Sequence, residues 1–97
     1  MATGFTVAYS RTGTGVRVLV SGDLDIFTGP ILRHRLADLN EDSMVLDLTG
    51  VTFIDSSGLR ALLDVFEAAG RRLSVIPGPT NARFFEMSGL QGKLSLE

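Results

Sequence analysis

Phe5-Thr6-Val7-Ala8-Tyr9 alternates apolar and polar side chains, the two-residue period of a strand with one buried face. Val16-Arg17-Val18-Leu19-Val20 repeats that period, and Thr12-Gly13-Thr14-Gly15 between them is a tight turn, so the two runs predict an antiparallel hairpin. Ser21 to Phe27, SGDLDIF, reads as a loop. Thr28 is placed to cap a helix, with Pro30 in its first turn, where a missing N–H does no harm. Leu32, Leu36 and Leu39 then recur at helical spacing with Ile31 beside them, and Asn40-Glu41-Asp42 ends the run.

Met44 to Leu48 is a nearly continuous apolar run broken by Asp47, as expected of a strand inside a sheet. Gly50 predicts a turn, and Val51-Thr52-Phe53-Ile54 leads to Asp55-Ser56-Ser57-Gly58. From about Ser57 to Ala69 the period changes to that of a helix. Leu59, Leu62, Leu63 and Phe66 form its expected core face, and Gly70 is its stop. Arg72 to Ile76 is a further strand, Asn81 to Ser88 a short third helix, and Leu94-Ser95-Leu96 a last short strand. The order β-β-α-β-α-β-α-β predicts an α/β fold: a mixed sheet with an N-terminal antiparallel hairpin followed by β-α repeats, with three helices. With 97 residues, a single domain over 1–97 is expected.

Composition narrows the function. Hydrophobic residues are 44% and charged residues 21%, a globular balance, and the net charge of −2 leaves no footprint for nucleic acid. Beyond Arg71-Arg72 there is no basic cluster to favour an anionic membrane surface, and no apolar run approaches a membrane span. The first residues, MATGFTVAYS, lack the basic and apolar segments of a signal peptide, so a cytoplasmic location is expected. Without cysteine there are no disulfides, thiolate metal sites or thiol catalysis. With His34 the only histidine, set between Arg33 and Arg35, neither a multi-histidine metal site nor a histidine-assisted serine is favoured. The Gly-x-Ser-x-Gly elbow of serine hydrolases is absent, and Gly13-Thr14-Gly15 lacks the lysine and helix of a phosphate loop. No cofactor or metal is expected, and Asp47 reads as a hydrogen-bonded structural carboxylate.

Two hydroxyls stand between a carboxylate and a glycine at the mouth of a helix. One reading is structural: Ser56 or Ser57 caps the helix, and Gly58 packs closely. The other is that one serine carries a phosphate, which a helix N-terminus tolerates and which would act on whatever partner docks there. The acidic loop Asp23-Leu24-Asp25 also leaves the carboxyl end of a strand, where loops of a parallel sheet gather, so it is expected near Ser56. The alternative is that its carboxylates only cap the next helix.

Taken in order, Gly22-Asp23-Leu24-Asp25-Ile26-x-Thr28, the leucine-rich helix, Val45-Leu46-Asp47-Leu48-Thr49-Gly50-Val51-x-Phe53-Ile54-Asp55-Ser56-Ser57-Gly58-Leu59 and Met87-Ser88-Gly89-Leu90 resemble a STAS domain of the bacterial anti-sigma factor antagonists. That resemblance implies a non-enzymatic, partner-switching regulator of transcription. The unphosphorylated form binds an anti-sigma factor with serine kinase activity and frees the sigma factor. Phosphorylation at Ser56 abolishes binding, and a serine phosphatase restores it. Asp23, Asp25, Thr28, Asp55, Ser57, Gly58, Arg60 and Asp64 are the expected partner-binding residues. The runner-up is a STAS accessory subunit of a lipid or anion transport system, against which the serine pair weighs. Two features depart from the family pattern. Arg60 follows the Gly-Leu pair where a small residue is common, and the chain stops at Glu97 where many members add a helix.

Overall fold

The computed structural model describes residues 4–13, 15–70, 73–79, 82 and 95–96. Five strands form one sheet in the order of the chain: β1 (Thr6–Thr12), β2 (Gly15–Leu24), β3 (Ser43–Ile54), β4 (Leu73–Ile76) and β5 (Ser95–Leu96). The predicted hairpin is present: β1 pairs antiparallel with β2, Tyr9 opposite Val18, across a turn in which Gly13 takes φ +58°. From β2 onward every pairing is parallel. Helix α1 (Gly29–Ala37) carries the chain from β2 to β3, and α2 (Ser56–Ala69) from β3 to β4. Both crossovers step the same way across the sheet, and right-handed connections then put both helices on one face. The Arg33–Asp64 ion pair joins them at 2.8 Å.

Two strands run longer than the periodicity implies. Ser21–Leu24, expected as loop, continues β2, and Gly50, expected as a turn, lies inside an unbroken β3. The hydrophobic period is lost there because the β2–β3 register slips between Leu19 and Ser21 and again between Gly22 and Asp23. Gly50 serves a close approach instead: a side chain there would meet the Ser21 hydroxyl and come within 3.1 Å of the Val20 carbonyl oxygen. The expected third helix over Asn81 to Ser88 lies, Ala82 apart, outside the described residues.

The core lies between the sheet and the helices. Val16, Val18, Val20 and Leu24 of β2, Met44, Leu46, Leu48 and Val51 of β3, and Leu73 and Val75 of β4 meet Leu32 and Leu36 of α1 and Leu62, Val65 and Ala69 of α2. On α2 the buried stripe is Gly58, Ala61, Leu62, Val65 and Ala69; Leu59, Leu63 and Phe66 only flank it. The stripe is rotated from the expected one because α1 covers a second side of α2. There a methyl on Gly29 would lie 3.0 Å from the Ala61 Cβ, so small residues set the helix spacing. Ile31, expected beside the core, is exposed.

Asp47 is a structural carboxylate, as its position in a strand implied. It is 5% exposed. It accepts from the Arg17 guanidinium at 2.7 Å and from the Thr49 hydroxyl and N–H at 2.6 and 2.9 Å. Burial pushes its pKa up, but the Thr49 and Arg17 hydrogen bonds outweigh it and hold the carboxyl below 3.8. The stabilisation is therefore present above the unfolded value and is lost as pH falls through the lowered folded value. Asp47→Asn should cost about 1–3 kcal/mol at neutral pH, with the gap from wild type narrowing below pH 3.8. Urea midpoints across that range measure it.

Candidate functional site

The parallel register ends with Leu24 opposite Ile54, so the loops leaving β2 and β3 are neighbours. The Asp55 N–H donates to the Leu24 carbonyl at 3.3 Å. The two segments are held this close by Gly58, whose absent side chain leaves room for the Leu24 backbone: a Cβ would run into that carbonyl, with its carbon at 2.7 Å.

Asp55, not a serine, is the N-cap of α2: its Oδ1 accepts from the Gly58 N–H at 2.9 Å. The cap reading of Ser56 or Ser57 is therefore corrected. A carboxylate competes well for the first-turn N–H groups and for the positive end of the helix. Ser56 is the first helical residue and exposed; Ser57 is half-buried. Among the described residues neither hydroxyl has a hydrogen-bond partner, so both remain available.

The β2–α1 loop is tied by two side chains. Asp25 Oδ1 accepts from the N–H groups of Phe27 and Thr28 at 2.9 and 3.1 Å. The Thr28 hydroxyl donates to the Asp23 carbonyl at 2.7 Å and accepts from the Asp25 N–H at 2.9 Å. The Thr28 N–H, then the Phe27 N–H and the Thr28 hydroxyl, outweigh desolvation and lower the Asp25 pKa, so it stays ionised. Thr28 is the N-cap of α1, but its side chain makes no cap hydrogen bond, and it is only 2% exposed. Its hydroxyl is consumed inside the loop, so Thr28 sets the shape of the loop. Gly58 is buried too and supports the site from beneath. Asp23 is exposed and accepts from the Thr52 hydroxyl at 2.8 Å.

An open cleft of about 310 Å³ results, lined by Asp25, Ile26, Pro30, Arg33, Ser56, Ser57, Arg60 and Ala61. The expected neighbourhood of the acidic loop and Ser56 is thus real for Asp25. Asp64 lies outside the lining but holds its two arginines, Arg33 Nη1 at 2.8 Å and Arg60 Nε at 3.7 Å. Three exposed apolar side chains that the sequence reading passed over stand on the segments that lead to this cleft. Ile26 lines it at 62% exposure, Phe27 follows at 78%, and Phe53, opposite Asp23 in the strand register, is 53% exposed. Large apolar groups at such exposure mark contact surfaces, and aromatics are enriched in them. Their only sequence signal was bulk apolar residues beside acidic loop positions. Arg33 was also missed as a site residue, because only the packing of α1 on α2 brings it in. His34 is exposed and does not line the cleft. Among the described residues no cluster of three His, Asp or Glu side chains offers a metal site, and no helix is long and apolar enough to cross a membrane.

Fold and site together define a small α/β domain with a serine-bearing surface cleft. The sequence profile described as "Mlab, STAS domain" matches residues 7–96, and the chain belongs to that STAS family. It is 29% identical over 89 residues to the anti-sigma-B factor antagonist of Listeria monocytogenes, covering 84% of this chain and 78% of that one. A crystal structure of an anti-sigma factor antagonist from Mycobacterium paratuberculosis superimposes with a TM-score of 0.87 at 26% identity, over 99% of this chain and 87% of that one. The unphosphorylated anti-sigma factor antagonist SpoIIAA shares the fold, with a TM-score of 0.69 at 21% identity over 95% of this chain and 88% of its own.

Proposed function

We propose that this protein is an anti-sigma factor antagonist: it binds an anti-sigma factor through the Ser56 cleft and its apolar rim, and so frees a sigma factor. The observation that carries this reading is the pair of Ser56 and Ser57 hydroxyls at the α2 N-terminus, without hydrogen-bond partners among the described residues, with Ile26 exposed in the same cleft and Phe27 and Phe53 exposed on the segments that lead to it. The antagonist names of the Listeria and Mycobacterium relatives support the same role. The protein acts by binding and performs no catalysis itself.

The partner is a serine kinase as well as an anti-sigma factor. It transfers the γ-phosphoryl group of ATP to Ser56 Oγ, with ADP leaving and the hydroxyl proton passing to a base of the kinase. The product adds a charge of about −1.5 to −2 to a surface that already holds Asp25 and Asp55. Desolvating that charge against a docked partner is unfavourable, so the complex dissociates, and a serine phosphatase resets it. Asp23, Asp25, Asp55, Ser57, Arg60 and Asp64 form the polar part of the contact.

Wild type should capture a soluble kinase-type ATPase from cells of the source organism, and Ser56→Asp should lose it. Incubated with that kinase and labelled ATP, wild type should take up one phosphate and Ser56→Ala none, while Ser56→Ala keeps the partner bound. Label on Ser57 would move the switch by one residue. Capture of membrane ATPase components by wild type and Ser56→Asp alike would replace this reading with that of a transport accessory subunit.

A further inference from the structure

Arg33 comes from α1 and Arg60 from α2, and both line the cleft with Ser56 and Ser57. Both are engaged by the single Asp64 carboxylate, at 2.8 and 3.7 Å. The side chains are well exposed, 44% for Arg33, 77% for Arg60 and 36% for Asp64, so these ion pairs hold the arginines only weakly. Asp25 is the other charged residue lining the space, and Asp55 adjoins it as the α2 N-cap; each has its Oδ1 committed to backbone N–H groups.

We propose that Arg60 and Arg33 are a built-in receptor for phosphoserine: when Ser56 is phosphorylated, both leave Asp64 and close on the phosphoryl oxygens. This inference rests on the reading that Ser56 is the modified residue. Arg60 lies four residues after Ser56, the spacing that makes neighbours on a helix surface. Helical side chains readily lean toward the N-terminus, so Arg60, on leaving Asp64, can cover the turn that Ser56 begins. Arg33 reaches the same cleft from across the helix pair. The N–H groups of Ser56 and Ser57 belong to the open first turn, and the helix dipole favours an anion there. A phosphate dianion offers three acceptor oxygens to guanidinium forks, where Asp64 offers two oxygens and one charge. Phosphorylation thereby exchanges the Arg33–Asp64 brace between α1 and α2 for a phosphate-centred one. Departure of the phosphate restores the brace.

The test installs phosphoserine at position 56 during translation, verified by intact mass, and follows the phosphate by 31P NMR titration. Its second pKa, ordinarily about 6, should lie about one unit lower in the otherwise wild-type protein than in the Arg33→Ala/Arg60→Ala variant. Asp25, Asp55 and Asp64 are common to both proteins. The difference should shrink in high salt, and Arg60→Lys should retain part of it. Circular dichroism of each variant checks the fold, and Arg60→Gln serves if the double alanine variant unfolds. Identical titrations in every protein would overturn the receptor. Because the phosphate is installed without a kinase, the two claims separate. A kinase that ignores Ser56 removes the switch and leaves the titration standing; equal titrations in a protein the kinase does modify remove only the receptor.

Discussion

Leu62→Ala should cost about 2–5 kcal/mol, the range for truncating a buried leucine whose surroundings relax only partly. Leu62 is 4% exposed and lies in the middle of the α2 stripe, with Ala61 and Val65 beside it in the core. It belongs to the core cluster that joins both helices to β2, β3 and β4, so its neighbours are held by several elements and collapse only partly into the space. A domain of this size has about 5–15 kcal/mol of stability in all, so the loss is a large share. The melting temperature should fall by roughly 10 °C or more. Leu63→Ala, on the flank of the stripe, should cost clearly less, and equal losses at the two positions would put the core face of α2 in the wrong place. Urea and thermal unfolding of both variants decide it.

Gly58→Ala should damage the fold and the site together. Helix propensity alone predicts the opposite, since alanine is better than glycine within a helix by about 1 kcal/mol. The contact decides the sign. The added methyl would meet the carbonyl of Leu24, a backbone group at the end of β2 that cannot rotate away as a flexible side chain would. Overpacking of this kind costs about 1–3 kcal/mol and sometimes more. Relief requires α2 to move off the β2 end. That stretches the Asp55 N–H to Leu24 hydrogen bond and displaces Ser56 from Asp25 and Ile26 across the cleft. Partner affinity should therefore fall by more than the loss of stability explains. Ser57→Ala, one residue earlier and making no hydrogen bond among the described residues, should stay within about 0.5 kcal/mol of wild type. A Gly58→Ala protein as stable as wild type and still binding its partner would mean the strand end is not rigid here.

The glycine also shows how motif and fold depend on each other. In the sequence, Gly58 is one letter of Asp-Ser-Ser-Gly and reads equally as recognition or as packing. Its contact with Leu24 gives it a packing role, and the neighbouring hydroxyls make no hydrogen bond among the described residues. Asp55 shows the same division. It looked like a charge beside two serines, and it is the helix cap, its Oδ1 taking the Gly58 N–H so that neither serine has to.

Periodicity along the chain was enough for the hairpin, the two helices between parallel strands and the position of the serines at a helix start. Those features follow from local geometry: alternation sets a strand face, leucine spacing sets a helix face, and glycine and proline mark the ends. The same logic failed where strands depart from regular pairing. Ser21–Leu24 and Gly50 lie in β2 and β3 because slips in register break the two-residue period. It failed again for the α2 stripe, because nothing local in α2 records that α1 covers its second side.

The cleft divides in the same way. Asp25, Ser56, Ser57 and Arg60 were legible because each belongs to a short run that chemistry makes conspicuous. Thr28 was legible as a residue, but its burial was not, since that depends on loop closure over Asp23 and Asp25. Arg33, Ile26, Phe27 and Phe53 acquire meaning only in three dimensions. Arg33 stands 23 positions before Ser56 and reaches it because two crossovers place α1 beside α2. Phe53 faces solvent because a strand that is regular at Met44–Leu46 has changed its pairing before it reaches the site. Which residues can form a strand, a cap or a phosphate acceptor is a property of their own backbone and side chains, and the sequence carries it. Which of them share a surface depends on register and crossover, which couple residues far apart in the chain, and only the tertiary structure decides it.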